Sequence, residues 1–200
     1  MSRIIAGRAG GLPLRSVPGT GTRPTTDRTK EAMFSWLSSR GWLDGTAVAD
    51  LYAGSGSLGL EAWSRGAASV LFVEKDRRAA SVCSANVRAV AQALRSPVPQ
   101  VIVRPVDAVL DQLIAAGHPA EAATGPAGPW DLILADPPYP VEGEELHATL
   151  ERVVRALVTD GLLVLERSAR SAEPSWPAGL EPVEQRTYGE TSVFYCQRVG

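Results

Sequence analysis

Cysteine, histidine and lysine are scarce in this chain, with two of each among its 200 residues. Cys83 and Cys196 form no CxxC pair, which excludes a disulfide framework and favours a reducing compartment. His118 and His147 have no neighbouring soft ligand, so we expect no metal site. No apolar run approaches the roughly 20 residues that cross a bilayer, and the chain starts without the apolar stretch of a secretory signal. We therefore expect a soluble, cytoplasmic monomer that contacts no membrane.

The basic residues are concentrated at one end of the chain. The protein as a whole has a net charge of −2 and an ordinary globular composition, with 44% hydrophobic and 21% charged residues. Residues 1–40, however, contain seven basic residues and only two acidic ones. A basic terminal segment joined to an acidic remainder is typical of a protein whose basic segment binds nucleic acid. Of the 20 basic residues 18 are arginine, which suits phosphate contacts, although a GC-rich genome would produce the same bias.

The hydrophobic pattern changes near residue 43. Before it, residues 3–6 and 12–17 predict a short β-hairpin, and a helix follows to about residue 39. After it, short apolar strands alternate with helices, which predicts a parallel sheet covered on both faces. We therefore divide the chain into a small amino-terminal extension, 1–43, and a main domain, 44–200.

The end of the chain has a different pattern. Segments 183–186 and 191–198, separated by Tyr188-Gly189-Glu190, predict a final pair of antiparallel strands. The expected fold is thus α/β: a doubly wound, mostly parallel sheet with an antiparallel carboxyl-terminal pair and a hairpin-plus-helix extension.

A glycine-rich loop follows the first predicted strand of the main domain. Gly54, Gly56 and Gly59 fit the pattern G-x-G-x-x-G, in which missing side chains let the backbone approach a ligand at the carboxyl edge of the sheet. The next strand ends at Glu74, 20 residues after Gly54. An acid at that distance can accept hydrogen bonds from two ribose hydroxyls of a bound cofactor. The alternative is that Glu74 is a solvated charge at the end of its strand and binds nothing.

Two classes of cofactor use such a loop. A dinucleotide places its pyrophosphate at the helix N-terminus, whereas S-adenosylmethionine presents an ammonium group. Asp50, just before the loop, suits the ammonium and would repel phosphate, which favours S-adenosylmethionine. Asp107 can accept from the adenine amino group or cap the following helix, or do both. The candidate cofactor-binding residues are Asp50, Ala53, Gly54, Ser55, Gly56, Glu74, Lys75, Asp107 and Ala108.

The sequence Asp136-Pro137-Pro138-Tyr139 follows a buried strand, at the edge where such sheets bind ligands. The two prolines fix φ and remove two backbone donors, so the bend presents a carboxylate and carbonyls, all of them acceptors. An exocyclic amino group of a nucleobase matches this surface, because both N–H bonds can be held while the lone pair faces an electrophilic methyl. Tyr139 can stack on the base. A tight turn capped by Asp136 is the structural alternative.

Together these residues resemble the class I, Rossmann-like methyltransferases that use S-adenosylmethionine. The closer resemblance is to the bacterial 16S rRNA guanine-N2 methyltransferases of the RsmD type, and it covers essentially the whole chain. The most specific stretches are Arg3–Gly7, Arg23–Phe34 and Tyr188–Thr191. The chain departs from the family pattern at the Ala/Gly/Pro-rich loop 117–129 and at Tyr139, neither of which affects the chemistry.

The resemblance implies a seven-stranded sheet and methyl transfer from S-adenosylmethionine to N2 of one guanine in 16S rRNA. It also implies that the assembling or assembled small ribosomal subunit is the substrate. The implied catalytic residues are Asp136, Pro137, Pro138 and Tyr139. The candidate RNA-binding residues, which would hold phosphates around a displaced base, are Arg3, Arg8, Arg15, Arg23, Thr25, Arg28 and Lys30.

Three alternatives remain open at this point. The Asp-Pro-Pro-Tyr signature alone does not separate guanine N2 from adenine N6, so an adenine-N6 nucleic-acid methyltransferase is the first. An NAD-dependent oxidoreductase is the second, but Asp50 and Asp136 would have no task in it. A non-catalytic RNA-binding module is the third, and the intact glycine loop argues against it.

Overall fold

The computed structural model describes residues 2–18, 27–116, 128–138 and 140–200. Arg23, Thr25 and Tyr139, which the sequence analysis singles out, lie outside the described residues. The elements in chain order are β1 (Ser2–Arg3), β2 (Pro13–Leu14), α1 (Asp27–Ser39), β3 (Ala47–Leu51), α2 (Ser57–Ser64), β4 (Ser69–Val73), α3 (Arg77–Leu94), β5 (Val101–Ile102), α4 (Val106–Ala115), β6 (Trp130–Ala135), α5 (Gly143–Ala156), β7 (Leu157–Ser168), β8 (Leu180–Tyr188) and β9 (Thr191–Arg198).

The main sheet has seven strands in the order β5-β4-β3-β6-β7-β9-β8. Strands β3 to β7 pair in parallel, and β9 pairs antiparallel with both β7 and β8. A second sheet contains only β1 and β2, which are antiparallel. The expected fold, including the antiparallel carboxyl-terminal pair and the amino-terminal hairpin, is confirmed.

The ends of the parallel strands form a level row. Leu51 of β3 pairs with Val73 of β4 on one side and with Ala135 of β6 on the other, and Ala135 in turn pairs with Leu165 of β7. From β3 the chain first builds the sheet outward through β4 and β5, and then returns to place β6 on the opposite side of β3. The crevice above β3 and β6 is thus a topological switch point, where open α/β sheets bind their ligands.

Two hydrophobic clusters cover the two faces of the sheet. One contains α2 and α3, and the other contains α4 and α5. We call residues 2–18 the amino-terminal arm. Ile4, Ala9 and Leu14 of this arm and Met33 and Phe34 of α1 are buried in the first cluster, together with sheet residues. The arm and α1 therefore share a core with the sheet.

The structure differs from the expectation in where some of the strands begin and end. β1 and β2 have two residues each and are shorter than expected, because Ile5 N and Ala6 N donate to Glu61 of α2 and Arg15 N donates to Asn86 of α3 instead of to the opposite strand. β7 is long, with 12 residues, because its flanks pair with β6 and β9. Across the described ranges, no helix combines the length and apolar content that crossing a membrane requires.

Candidate active site

The glycine loop between β3 and α2 is shaped by backbone positions that favour glycine. Gly54 and Gly56 have φ of 55° and 81°, in the left-handed region. The loop is fastened to the sheet by a hydrogen bond from Ala53 N to Val73 O, at 3.0 Å. At Gly59 a Cβ would stand 2.5 Å from Cε1 of Phe72, so the absent side chain lets α2 pack closely on the strands. Left-handed φ at Gly54 and Gly56 and close packing at Gly59 therefore give each glycine of the motif a structural role, while the approach of a ligand to this backbone stays a prediction.

Two acids hold this loop in place. Asp50 is buried, and its Oδ2 accepts a hydrogen bond from Gly59 N at 2.8 Å. Glu74 accepts from Gly54 N and from Asp76 N, each at 2.8 Å. Burial raises the pKa of Asp50 to about 7, and the negative charges of Asp136 and Glu74 add to this rise. The hydrogen bond from Gly59 N opposes the rise, because it stabilises the ionised carboxylate.

The charge around the loop discriminates between cofactors. Asp50, Glu74 and Asp136 bring three carboxyl groups together, and a pyrophosphate would add negative charge to them. The ammonium and sulfonium groups of S-adenosylmethionine would instead relieve their repulsion. There is also room: among the described residues, only the Tyr52 carbonyl oxygen lies as near as 4.0 Å to the position of a Cβ at Gly54. The residues therefore fit S-adenosylmethionine and do not fit a dinucleotide.

Asp136 directly follows β6, so it lies beside the end of β3 at the switch point. Enclosure by the surrounding protein raises the pKa of the Asp136 carboxyl, and Arg167 opposes this rise. One face of Asp136 is exposed, so water can reach the carboxylate and limit the effect of burial. Pro138 O accepts a hydrogen bond from Val141 N at 2.9 Å, which closes the bend. Asp136 is thus an exposed carboxyl group at the carboxyl edge of the sheet, beside the end of β3 from which the glycine loop continues.

Asp107 has a partner that the sequence analysis missed. The N-cap of α4 is Pro105, and Asp107 lies in the first turn of the helix. Its Oδ1 accepts a hydrogen bond from Thr149 Oγ1 of α5 at 2.7 Å, so the alternative that Asp107 caps the helix is wrong. The side chain joins α4 to α5 at the carboxyl edge of the sheet. Its contact with adenine stays a prediction, as do those of Lys75 and Ala108.

The basic residues of the amino-terminal region differ in exposure. Arg3, Arg8, Arg15 and Arg28 are exposed, although Arg3 pairs with Asp27 at 3.2 Å and Arg8 Nη2 donates to Leu94 O at 3.1 Å. Their role in binding RNA stays a prediction.

Lys30 differs from these four arginines because its side chain is only 1% exposed. Its Nζ donates to Arg3 O at 2.6 Å and lies 3.7 Å from Glu61 Oε2. Burial lowers the pKa of Lys30, and the charge of Glu61 opposes this shift. An RNA phosphate cannot reach a buried ammonium, so the prediction that Lys30 binds RNA is wrong, and the residue instead fastens the arm.

Three polar side chains that anchor the arm were missed by the sequence analysis. Glu61 of α2 accepts hydrogen bonds from Ile5 N at 2.7 Å and Ala6 N at 3.0 Å. Ser64 Oγ accepts from Ala9 N at 2.9 Å and donates to Ala6 O at 2.6 Å. Asn86 of α3 holds the backbone of Arg15. A signal was present, because Glu61 and Asn86 interrupt otherwise apolar, buried helix surfaces.

Tyr52 and Arg167 are two further residues of the site that sequence reasoning did not find. Tyr52 adopts φ of 61°, a strained conformation for a residue with a side chain, directly after β3. Burial raises the pKa of its phenol to about 12. The Arg167 side chain is 3% exposed, and its Nη2 lies 4.0 Å from Glu142 Oε2. The strain at Tyr52 has no sequence signal, since nothing in the residue type predicts a positive φ.

No group of three or more histidine, cysteine, aspartate or glutamate side chains suited to a metal ion occurs within the described part of the chain. Both cysteines are buried, and burial raises the pKa of the Cys196 thiol to about 12. Neither thiol is therefore poised as a nucleophile.

This architecture is that of the class I methyltransferases, in which a cofactor loop and a substrate-side bend share one edge of a seven-stranded sheet. Within that class, the chain belongs to the family described as conserved hypothetical protein 95, whose pattern matches residues 2–197. The match confirms the resemblance to RsmD-type proteins that the sequence analysis reports.

Curated relatives extend over the whole chain. YlbH of Bacillus subtilis is 32% identical over 203 residues, which cover 99% of this chain and 100% of YlbH. The Escherichia coli K12 protein named ribosomal RNA small subunit methyltransferase D is 29% identical over 202 residues, covering 98% of this chain and 89% of that protein.

Solved structures agree with the fold. YhhF of Escherichia coli superposes with a TM-score of 0.73 at 30% identity, covering 99% of this chain and 98% of YhhF. Magnesium protoporphyrin IX methyltransferase from Synechocystis, solved with bound S-adenosylmethionine, superposes with a TM-score of 0.61 over 86% of this chain and 78% of that one. At 16% identity the second likeness concerns the fold alone.

Proposed function

We propose that this protein transfers a methyl group from S-adenosylmethionine to the exocyclic N2 amino group of a guanine in 16S rRNA. The observation that carries the proposal is the position of Asp136, which follows β6 directly beside the glycine loop at the switch point. The name of the Escherichia coli relative supports a small-subunit rRNA substrate. That substrate would place the protein in the bacterial cytoplasm, and we propose that it acts there as a monomer.

The glycine loop and its acids would hold the cofactor, which supplies an electrophilic methyl group on sulfur. The backbone at Gly54 offers a close approach, and Glu74 is oriented by Gly54 N and Asp76 N. Each carboxylate oxygen of Glu74 keeps a second lone pair, which can accept from a ribose hydroxyl. Asp50 gives the ammonium end a counter-charge in a buried setting, where an ion pair is stronger than in water.

Asp136 and the carbonyl of Pro137 would orient the base. Each accepts one N–H of the amino group, so the nitrogen lone pair is directed away from the bend and toward the methyl carbon. As the N–C bond forms and the C–S bond breaks, positive charge develops on nitrogen, and the Asp136 carboxylate stabilises it. The methylated nitrogen then releases a proton to water or to Asp136. Tyr139 would stack on the face of the base.

The exposed arginines of the arm and α1 would hold the RNA backbone. Arg8, Arg15 and Arg28 are exposed, and the arm and α1 that carry them pack on the face of the sheet that α2 and α3 cover. RNA chemistry on a base requires that the base be unstacked, and phosphate contacts around it can hold the displaced strand. We assign Arg23 and Thr25 to the same surface by the family resemblance only.

Methyl transfer with labelled cofactor tests the proposal. Small ribosomal subunits purified from cells that lack this enzyme are incubated with the protein, and the modified nucleoside is identified after digestion of the RNA. We expect N2-methylguanosine in 16S rRNA. N6-methyladenosine would instead establish the adenine alternative, and no labelled nucleoside would contradict the proposal.

Asp136→Ala is the companion variant. We expect it to lower the rate of methyl transfer by about 10³-fold, because charge stabilisation and orientation are lost together. Its affinity for S-adenosylhomocysteine, measured by calorimetry, should stay within a few fold of the parent. Appreciable turnover by this variant would contradict the role of Asp136.

A further inference from the structure

The amide of Asn86 joins two parts of the protein that the proposed function uses separately. Asn86 lies in α3, and only 2% of the residue is exposed. Its Nδ2 donates to Ser55 O in the glycine loop at 2.9 Å and to Arg15 O in the arm at 3.0 Å. Its Oδ1 accepts from Arg15 N at 2.8 Å. One buried side chain thus holds the cofactor loop and the arm at the same time.

The pairing with Arg15 uses both the donor and the acceptor of one residue's backbone. The side-chain amide meets Arg15 N and Arg15 O as a neighbouring strand would, which fixes the position of the chain just before the segment that carries Arg23. If Arg15 leaves this position, the Asn86 amide loses two of its three partners in a buried site. The free amide can then rotate, and its hydrogen bond to Ser55 O is weakened.

We propose that Asn86 is a positioning residue that couples occupancy of the cofactor loop to docking of the amino-terminal arm. A ligand shifts an equilibrium only by its differential affinity for the two states. With the arm docked, Ser55 O is held and the loop is preorganised; with the arm undocked, cofactor binding must also order the loop. Cofactor binding therefore favours the docked arm, and by reciprocity docking of the arm strengthens cofactor binding by the same factor.

This inference rests on the proposed function, since it takes 53–56 as the cofactor loop. RNA that binds the docked arm in preference to the undocked one would tighten the site that holds the methyl donor. Cofactor and such an RNA would thus bind with positive cooperativity rather than independently.

Hydrogen exchange of the arm amides tests the coupling on the full-length protein without RNA. Saturating S-adenosylhomocysteine should slow exchange at Arg15 N–H and its neighbours by about fivefold or more, the lower end of typical coupling factors. If S-adenosylhomocysteine binds and this exchange does not change, the coupling is refuted while the proposed cofactor stands. If it does not bind at all, the proposed function itself is refuted.

Two variants separate positioning by Asn86 from general loosening of the arm. In Asn86→Ala we expect weaker S-adenosylhomocysteine binding and no effect of that ligand on arm exchange. Ser64→Ala is the matched control, because Ser64 holds Ala9 N and Ala6 O but does not touch the loop. Without ligand, the arm amides of Ser64→Ala should exchange faster than those of the parent. S-adenosylhomocysteine should still slow this exchange by the same factor as in the parent.

Asn86→Asp serves if the alanine variant does not fold, since it keeps an acceptor for Arg15 N and loses the donors to Ser55 O and Arg15 O. In steady-state kinetics of the Asn86 variants, we expect KM for S-adenosylmethionine to rise by a larger factor than the factor by which kcat falls. Retention of the full ligand effect in either Asn86 variant would overturn the assignment, as would its loss in Ser64→Ala.

Discussion

The glycine loop and the amino-terminal arm both contact α2, but they are held in different ways. The hydrogen bonds that shape the loop join residues close in sequence: nine positions separate Asp50 from Gly59, and 20 separate Gly54 from Glu74. Most partners of the arm are 55 to 86 positions away, namely Glu61, Ser64, Asn86 and Leu94, and Lys30 lies 27 positions from Arg3. The loop is therefore a local structure, and the arm is a tertiary one.

The difference shows where each region is vulnerable. In the loop φ is left-handed at Gly54 and Gly56, and an added methyl group at Gly56 would also lack space. In the arm most residues depend on the buried partners that receive its backbone. Gly7 is an exception, because it has φ of 83° and an added Cβ would clash with Ser64 O.

Lys30→Met should cause the largest loss of stability. It removes the donor to Arg3 O and one of the cations that face buried Glu61, so the arm loses its attachment to α1. We expect the free energy of unfolding to fall by about 3 kcal/mol, as when a buried ion pair is broken. Arg28→Met, an exposed position in the same helix, should change it by about 0.5 kcal/mol or less. Equal effects in urea denaturation would contradict the structural role of Lys30.

Gly56→Ala should damage the loop specifically. Gly56 has φ of 81°, and an added Cβ would stand 2.8 Å from Cys83 Sγ. Left-handed backbone alone costs about 1–2 kcal/mol, and the contact adds to it. Gly41→Ala is the matched control, with φ of 76° and no described atom within 4 Å, so it should cost the backbone penalty alone. A more destabilising effect at Gly41 would show that the local packing is misassigned.

Asp50→Asn should change the pH dependence of ligand binding. Because the pKa of Asp50 is raised to about 7, the ammonium group of the ligand pairs with the ionised form, and affinity for S-adenosylhomocysteine should rise between pH 6 and pH 8. We expect the asparagine variant to bind at least about tenfold more weakly at pH 8, with a flat profile. Calorimetry at a series of pH values measures this, and an unchanged profile would exclude Asp50 as the counter-charge.

The same substitution has a stability effect of known sign. The folded pKa of about 7 lies above the unfolded value near 3.9, so folding disfavours the ionised carboxyl. The contribution of Asp50 to stability is then greatest below about pH 4 and is lost as the pH rises to 7. Asp50→Asn should therefore unfold at a higher temperature than the parent at pH 8, and the advantage should disappear at pH 4.

Arg28→Ala should have the smallest effect. If Arg28 contacts one phosphate, RNA binding weakens a few fold and the slope of log affinity against log salt becomes shallower by about 1. Arg155→Ala is the control, since Arg155 is exposed at the end of α5, beside the amino end of β7. Filter binding over a salt series measures both. Identical slopes for the two variants would remove Arg28 from the RNA surface. Deletion of the arm is unsuitable here, because Ile4 and Leu14 are part of the core.

The same contrast separates the features that the sequence predicts from those that it does not. The glycine loop follows the first strand of the main domain, as the pattern predicts, and Gly54 and Gly56 adopt left-handed conformations there. The position of Asp136 at a strand end was also predicted correctly. The prediction for Lys30 was wrong because its residue type and the local charge favoured an exposed cation. Its burial instead depends on Glu61, which lies 31 positions away in the sequence. The partner of Asp107 was missed for a similar reason, since Thr149 lies in another helix.

By itself the sequence determined the features that depend on neighbouring residues: the order of strands and helices, the left-handed turns at glycine, and the rigid bend at two prolines. These follow from backbone sterics within a few residues. Only the tertiary structure decided which cations face solvent and that the backbone of Tyr52 is strained. It also decided that the side-chain amide of Asn86 holds both the arm and the glycine loop. Burial and long-range hydrogen bonds exist only after distant segments have packed, so no local pattern encodes them alone.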